Sequence, residues 1–251
     1  MRKEVSSYHS LFDGEMKMPD KITKHIAQIL DLQKNTPHHD KKPDSQAAFT
    51  QHQSAFFDAQ AEWYVSQDAT PEEVKTTLTK MLSTITDHLP HRSGQRVLDV
   101  GAGAGVLVPF LRAALDRPAI HAIDLSAQQL ANLSSRYPDV STYQRDIADF
   151  TCEHAFELIT CNACFGNFYC QKTALSAMAS LLKPDGIIAL MHPLGAGFVE
   201  QLHQQNPTIV PHGLPTAAHV IDALCKPAYL TMMHLTNTAT CYLLILKKTI
   251  P

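Results

Sequence analysis

The sequence predicts an α/β protein in which a doubly wound, mostly parallel sheet follows a helical N-terminal extension. Three observations carry this reading. After residue 93 short apolar runs alternate with amphipathic stretches, the pattern of a parallel sheet covered on both faces. A glycine-rich turn joins the first apolar run to the stretch after it. Before residue 93 the apolar spacing is that of helices.

The extension spans residues 1–92. Lys21 to Leu32 sets Ile22, Ile26, Ile29 and Leu30 on one helical face, and Glu72 to Leu89 does the same with Val74, Leu78, Met81, Leu82 and Ile85. Pro71, after Thr70, starts the second helix. Between them the polar, proline-bearing stretch from Lys34 to Ser45 reads as a loop or linker. Residues 93–251 form the second unit. Its strands are Arg96 to Val100, Ile120 to Leu125, Val140 to Gln144, Leu158 to Asn162 and Ile187 to His192. Helices occupy Leu107 to Leu115, Ala127 to Arg136 and Thr173 to Leu182. Two further strands, Tyr229 to Leu235 and Thr240 to Lys248, are joined by a turn at Thr236 to Ala239 and make a C-terminal hairpin.

Composition narrows the function. The chain of 251 residues is 45% hydrophobic and 18% charged, with a formal net charge of −3. It lacks the surplus of Lys and Arg that phosphate neutralisation demands, so no nucleic-acid partner is expected. Neither a secretory signal nor an apolar run long enough to span a membrane is present, and a cytoplasmic location without a membrane partner follows. The six cysteines are then expected as thiols. Fourteen histidines are many for this length, but they are scattered, so no metal site is expected.

The chemistry starts at Val97 to Gly105, VLDVGAGAG, where a buried strand runs into a turn with Gly101, Gly103 and Gly105. Glycine lets backbone approach a ligand that side chains would obstruct. Val106 stands where a dinucleotide fingerprint carries its third glycine or alanine, which disfavours a dinucleotide. Asp124 ends the next strand, where a carboxylate can accept from both hydroxyls of a ribose. Asp146 follows the third strand and can bond an adenine amino group, with Ile147 packed on the ring.

In this order and spacing the residues resemble the motifs of class I S-adenosylmethionine-dependent methyltransferases, from about Ala55 to the C-terminus. The resemblance implies a Rossmann-like, seven-stranded sheet whose antiparallel last strand inserts beside its penultimate partner. It implies methyl transfer to a small-molecule acceptor with S-adenosylmethionine as cofactor. Asp99 would face the methionine amino group, and the cofactor would contact Gly101, Ala102, Gly103, Gly105, Asp124, Leu125, Asp146, Ile147 and Asn162. The segment from Ser54 to Tyr64 resembles a lid helix of small-molecule members, placing a lid near 54–66, with Tyr64 where those members carry an acid. Phe57 and Trp63 would equally serve to dock that helix on the sheet.

The acceptor is expected beyond the fourth and fifth strands. Amino-directed members carry an Asn/Asp-Pro-Pro-aromatic tetrad where this chain reads Asn162 to Phe165 without prolines, which disfavours base amino groups as acceptors. The pocket is expected to be lined by Tyr64, Cys164, Phe165, Phe168, His192, His203 and His212. His192, at a strand end before Pro193, is the candidate general base or substrate-orienting group. Cys161 and Cys164 are spaced as a Cys-x-x-Cys pair without a second pair, and are read as a strand residue and a pocket wall. A nucleotide-dependent oxidoreductase and a non-catalytic cofactor- or metal-binding regulator stay open as alternatives.

Overall fold

A computed structural model describes residues 20–37, 43–66, 70–91, 93–153 and 155–249. Three helices precede the sheet: α1 (Asp20–Asn35), α2 (Gln46–Ser66) and α3 (Glu72–Asp87). There follow β1 (Arg96–Val100), α4 (Val108–Ala114), β2 (Ala119–Asp124), α5 (Ala127–Arg136), β3 (Ser141–Gln144), β4 (Phe156–Asn162), α6 (Gln171–Leu181), β5 (Leu182–His192), α7 (Gly195–Gln205), α8 (Ala218–Cys225), β6 (Leu230–Thr238) and β7 (Cys241–Lys248).

The seven strands lie in the order β3-β2-β1-β4-β5-β7-β6. β1 to β5 pair in parallel, and β7 runs antiparallel between β5 and β6. The expected inserted last strand is therefore present. Alternation along each strand splits the core in two. Val97, Ile187, Ala189, Leu243 and Ile245 face one layer, which α1, α3, α4 and α7 cover. Leu98, Val100, Ile188, Leu190, Tyr242 and Leu244 face the other, under α6 and α8. Helices α1 and α3 thus pack on the same core as the sheet, through Ile22, Ile26, Val74, Leu78, Leu82 and Ile85. Burying each such side chain contributes about 1.5–3 kcal/mol.

Three sequence expectations shift. α1 runs on to Asn35, and Thr36 closes its last turn by donating to the Leu32 carbonyl at 2.7 Å. The linker is accordingly shorter at its N-terminal end, and residues 38–42 within it lie outside the described residues. The hairpin turn is Ala239 and Thr240 rather than Thr236 to Ala239. Thr236, Asn237 and Thr238 pair with Leu243, Tyr242 and Cys241 because threonine suits an extended edge strand. The region after β5, to which the sequence reading assigns no element, holds α7 and α8. Gly195 starts α7 at φ +76, where a Cβ would stand 2.7 Å from the carbonyls of Thr238 and Ala239. No helix among the described residues is long and apolar enough to cross a membrane.

Candidate active site

In the strand order the chain reverses direction between β1 and β4, and ligands of open α/β sheets bind at the carboxyl ends of strands flanking such a switch. A cleft of about 1230 Å³, counting its open mouth, lies there. The glycine loop forms its floor. Gly101 and Ala102 donate to the Ile123 carbonyl at 2.8 and 3.2 Å, tying the loop to β2. Gly101, Gly103 and Gly105 all have positive φ, but they serve different ends. A Cβ on Gly101 would stand 2.5 Å from Cys164 Sγ, and one on Gly105 would be 3.1 Å from Leu133 and Tyr137. One on Gly103 would meet nothing nearer than Gln129 Oε1 at 4.0 Å. Gly103 is therefore the loop position that faces open space.

Asp124 ends β2 beside it. Its Oδ2 accepts the Gly103 N–H at 2.8 Å and its Oδ1 accepts the Ser126 N–H at 2.9 Å. Burial raises its carboxyl pKa and these donors oppose the rise. Asp146 caps a short 3-10 turn, Ile147–Asp149, through the Ala148 N–H at 3.0 Å. Two acceptors in the lining, Asn162 Oδ1 and Gln129 Oε1, are buried without a hydrogen-bond partner. Such orphans are costly unless a ligand or water satisfies them.

Helix α2 roofs the cleft. Ser45 begins it, its hydroxyl taking the Ala48 N–H at 3.3 Å. Gln46, Phe49, Gln53, Phe57 and Tyr64 recur at helical spacing and line the cavity. A neighbouring stripe ties the helix to the sheet edge. Thr50 donates to Asp146 Oδ2 at 2.9 Å, Ser54 to the Leu125 carbonyl at 3.0 Å, and Ser126 donates to Asp58 at 2.5 Å. Burial, with Asp124 adding to it, pushes the Tyr64 phenol up to about 12, so it stays protonated. The two roles weighed for the aromatics divide. Phe57 lines the cleft, whereas Trp63 stands edge-on to Tyr64 at 5.1 Å.

Of the expected residues, the structure brings Gly101, Ala102, Gly103, Asp124, Leu125, Asp146, Ile147, Asn162, Tyr64, Cys164 and Phe168 to this cleft. Asp99 stands outside its wall. As the register partner of Thr160 it is buried and accepts the Thr160 hydroxyl at 2.8 Å, and burial pushes its carboxyl up to about 7. Gly105 is likewise outside, packed under Tyr137. Cys161 and Cys164 are free thiols with Sγ atoms 3.1 Å apart. Cys164 donates to the Val100 carbonyl, and its contact with Cys161 and its burial hold it well above the usual thiol range.

The histidines depart most from expectation. His192 is not presented to the cleft. It pairs with Tyr242 of β7, is 6% exposed, and faces a second cavity of about 250 Å³ with Phe165. Its Nδ1 accepts the Leu194 N–H at 3.2 Å, and burial pushes its pKa down to about 4. The inserted β7 and the return of the chain into α7 cover the strand end that the sequence alone leaves open. His203 Nδ1 bonds the Val210 carbonyl at 2.7 Å, and His212 Nε2 lies 3.3 Å from the Tyr169 carbonyl, neither in the cleft wall. Phe165, expected in the pocket wall, lines this second cavity and not the cleft, edge-on to Phe168 at 5.6 Å. Sequence reasoning missed Gln46, Phe49, Gln53 and Tyr169. The first three become visible once Ser45 is taken as a helix cap.

Comparison with known proteins agrees with this geometry. The family model described as a methyltransferase domain matches residues 98–188. Malonyl-[acyl-carrier protein] O-methyltransferase of Priestia megaterium is 32% identical over 109 residues, 43% of this chain and 39% of that one. Trans-aconitate 2-methyltransferase of Methylobacterium nodulans is 30% identical over 105 residues, 42% of this chain and 41% of that one. The matches thus span about two fifths of those relatives. Magnesium protoporphyrin IX methyltransferase from Synechocystis, solved with S-adenosylhomocysteine, superposes with a TM-score of 0.59 at 12% identity, covering 80% of this chain and 100% of that one. An N-methyltransferase from Bradyrhizobium japonicum, also with S-adenosylhomocysteine, gives 0.56 at 18% identity over 80% and 98%. Residues 98–188 thus match a methyltransferase domain, and the fold is that of these solved methyltransferases.

Proposed function

We propose that this protein transfers a methyl group from S-adenosylmethionine to a small-molecule acceptor in the cleft beneath α2. The observation that carries the reading is the Asp124 carboxylate locked to Gly103 at 2.8 Å beside two unpartnered buried acceptors, Asn162 Oδ1 and Gln129 Oε1. An adenosine bearing an ammonium group offers the donors this set lacks. Asp124 would accept the ribose hydroxyls, with Leu125 beside it. Asp146 would accept the adenine amino group on the oxygen it now shares with Thr50, and Ile147 would pack on the ring. The backbone from Gly101 to Gly103 would line the sulfonium side, and Asn162 Oδ1 would accept from the methionine ammonium. Asp99, one layer behind and held by the Thr160 hydroxyl, would make no contact with the cofactor.

When bound, S-adenosylmethionine supplies an already activated methyl: the acceptor atom bonds the methyl carbon as the carbon–sulfur pair returns to sulfur, leaving S-adenosylhomocysteine. The chain's own residues then align and exclude water. The α2 roof, held by Thr50, Ser54 and Asp58, performs the exclusion. The Cys164 thiol, kept protonated, does not compete as a nucleophile. His192 takes no part in proton transfer at this cleft.

We further infer that the helices described within residues 1–92 act as the roof and docking extension of the domain formed by 93–251. A cytoplasmic location fits the six free cysteines, and the net charge of −3 argues against a nucleic-acid acceptor. Calorimetry tests the reading: S-adenosylhomocysteine should bind at micromolar concentrations and NADH should not. The opposite result ends it in favour of an oxidoreductase.

A further inference from the structure

We propose that the acceptor is an uncharged aromatic molecule bearing a hydroxyl, and not a polycarboxylate of the kind named for trans-aconitate methyltransferases. The inference rests on the methyl-transfer reading and concerns the part of the cleft that the cofactor residues leave unassigned.

Charge gives the first argument. The only cation among the described lining residues is Arg145, and it is exposed, donating to the Gln144 carbonyl at 2.9 Å beside the Asp146 end. Apart from it, no Lys, Arg or His stands among the described lining residues. A molecule with two or three carboxylates would lose its hydration there without gaining paired donors.

Shape gives the second. Phe49 reaches down from α2 and Tyr169 across from the loop before α6, their ring centroids 5.4 Å apart and tilted by 55°. Phe57 and Phe168 extend this wall. Tyr169 lines the cleft and is 38% exposed, so part of its ring is open to a ligand. Such walls favour flat apolar bodies, because stacked and edge-on ring pairs attract beyond simple burial.

Polar groups give the third. Gln53 Nε2 and Asn167 Nδ2 both donate to the Ile209 carbonyl, at 2.7 and 3.3 Å. Both residues line the cleft, and an amide whose nitrogen is so engaged offers a ligand chiefly its oxygen. Those oxygens orient an O–H and repel a carboxylate. In the transfer, the hydroxyl oxygen bonds the methyl carbon while the sulfur–methyl bond breaks with its pair on sulfur. The hydroxyl proton leaves to water through the open mouth of the cleft.

The test uses the full chain saturated with S-adenosylhomocysteine, whose binding is measured first, and titrates it with 1-naphthol, catechol, trans-aconitate and malonate. At least one of the two phenols is expected to bind, more tightly than either carboxylate. Tyr169→Ala is expected to weaken it about fivefold with S-adenosylhomocysteine affinity unchanged, which also reports an intact fold. The proposal is overturned if neither phenol binds, if a carboxylate binds more tightly than both, or if Tyr169→Ala leaves phenol binding as it was. Failure of S-adenosylhomocysteine itself to bind would sink the underlying methyl-transfer reading instead, so the two failures are distinguishable.

Discussion

The Thr50 hydroxyl donates to Asp146 Oδ2 at 2.9 Å, so the helix over the cleft is anchored on the carboxylate that follows β3. The adenine amino group proposed to reach that oxygen would meet a carboxylate already oriented by the roof. Thr50→Val keeps the shape and removes the donor. One such bond is worth about 1 kcal/mol, so S-adenosylhomocysteine affinity should fall about fivefold in calorimetry. Thr50→Ser should restore it, and an unchanged affinity in the valine variant would separate the roof from cofactor binding.

Asp124 is the stronger point of attack. In Asp124→Asn one amide nitrogen must face either the Gly103 or the Ser126 N–H, stranding a buried donor at about 1–3 kcal/mol. Cofactor affinity should fall at least about fivefold by that figure. Because burial raises the Asp124 pKa, the parent protein should lose affinity as pH falls and the carboxylate is protonated. The asparagine variant should lack that acid dependence, which titration at several pH values checks.

The glycine loop, Asp124 and Asp146 were legible because a strand followed by glycines with positive φ has few other uses, and because carboxylates at successive strand ends converge on one edge. The roof was only partly legible. Its apolar residues point both to the cleft and to the core, so α2 shows no single apolar stripe, and its start at Ser45 lies in a stretch that reads as polar loop. His192 misled for a different reason. Exposure at a strand end depends on what crosses it, and β7 arrives from fifty residues further along the chain. Asp99 shows the same limit, since only the register with β4 reveals that Thr160 takes its carboxylate.

Gly101 and Cys164 should behave as a coupled pair. Gly101→Ala places a methyl 2.5 Å from Cys164 Sγ at a φ of +66, so strain of about 1–2 kcal/mol adds to a steric clash. Cys164→Gly should relieve the clash and leave the strain. A double-mutant cycle on thermal or denaturant unfolding should therefore return a favourable coupling of about 1–3 kcal/mol. Additive effects would mean that Cys164 swings clear and the loop does not depend on it.

His192 makes the last prediction, and its sign follows from burial. Its folded pKa of about 4 lies below the ordinary value of 6.5, so the unfolded chain binds the proton first as pH falls. Stability from the neutral imidazole is complete above about pH 6.5 and declines toward pH 4, by about 3 kcal/mol if the whole shift is realised. Asp99 acts oppositely. Raised to about 7, it is protonated in the fold where the unfolded chain is ionised, so its contribution is full below 3.8 and fades as pH rises toward 7. The net slope of the parent protein is thus a residual of two terms. His192→Gln should destabilise less at pH 5 than at pH 7 relative to the parent, and Asp99→Asn should steepen the acid loss that remains. Denaturant unfolding at fixed pH steps separates them. Because His192 faces the smaller cavity with Phe165, the glutamine variant should keep the pH profile of kcat/KM once an acceptor is in hand. Loss of a titration near pH 4 to 6.5 from that profile would return His192 to the chemistry.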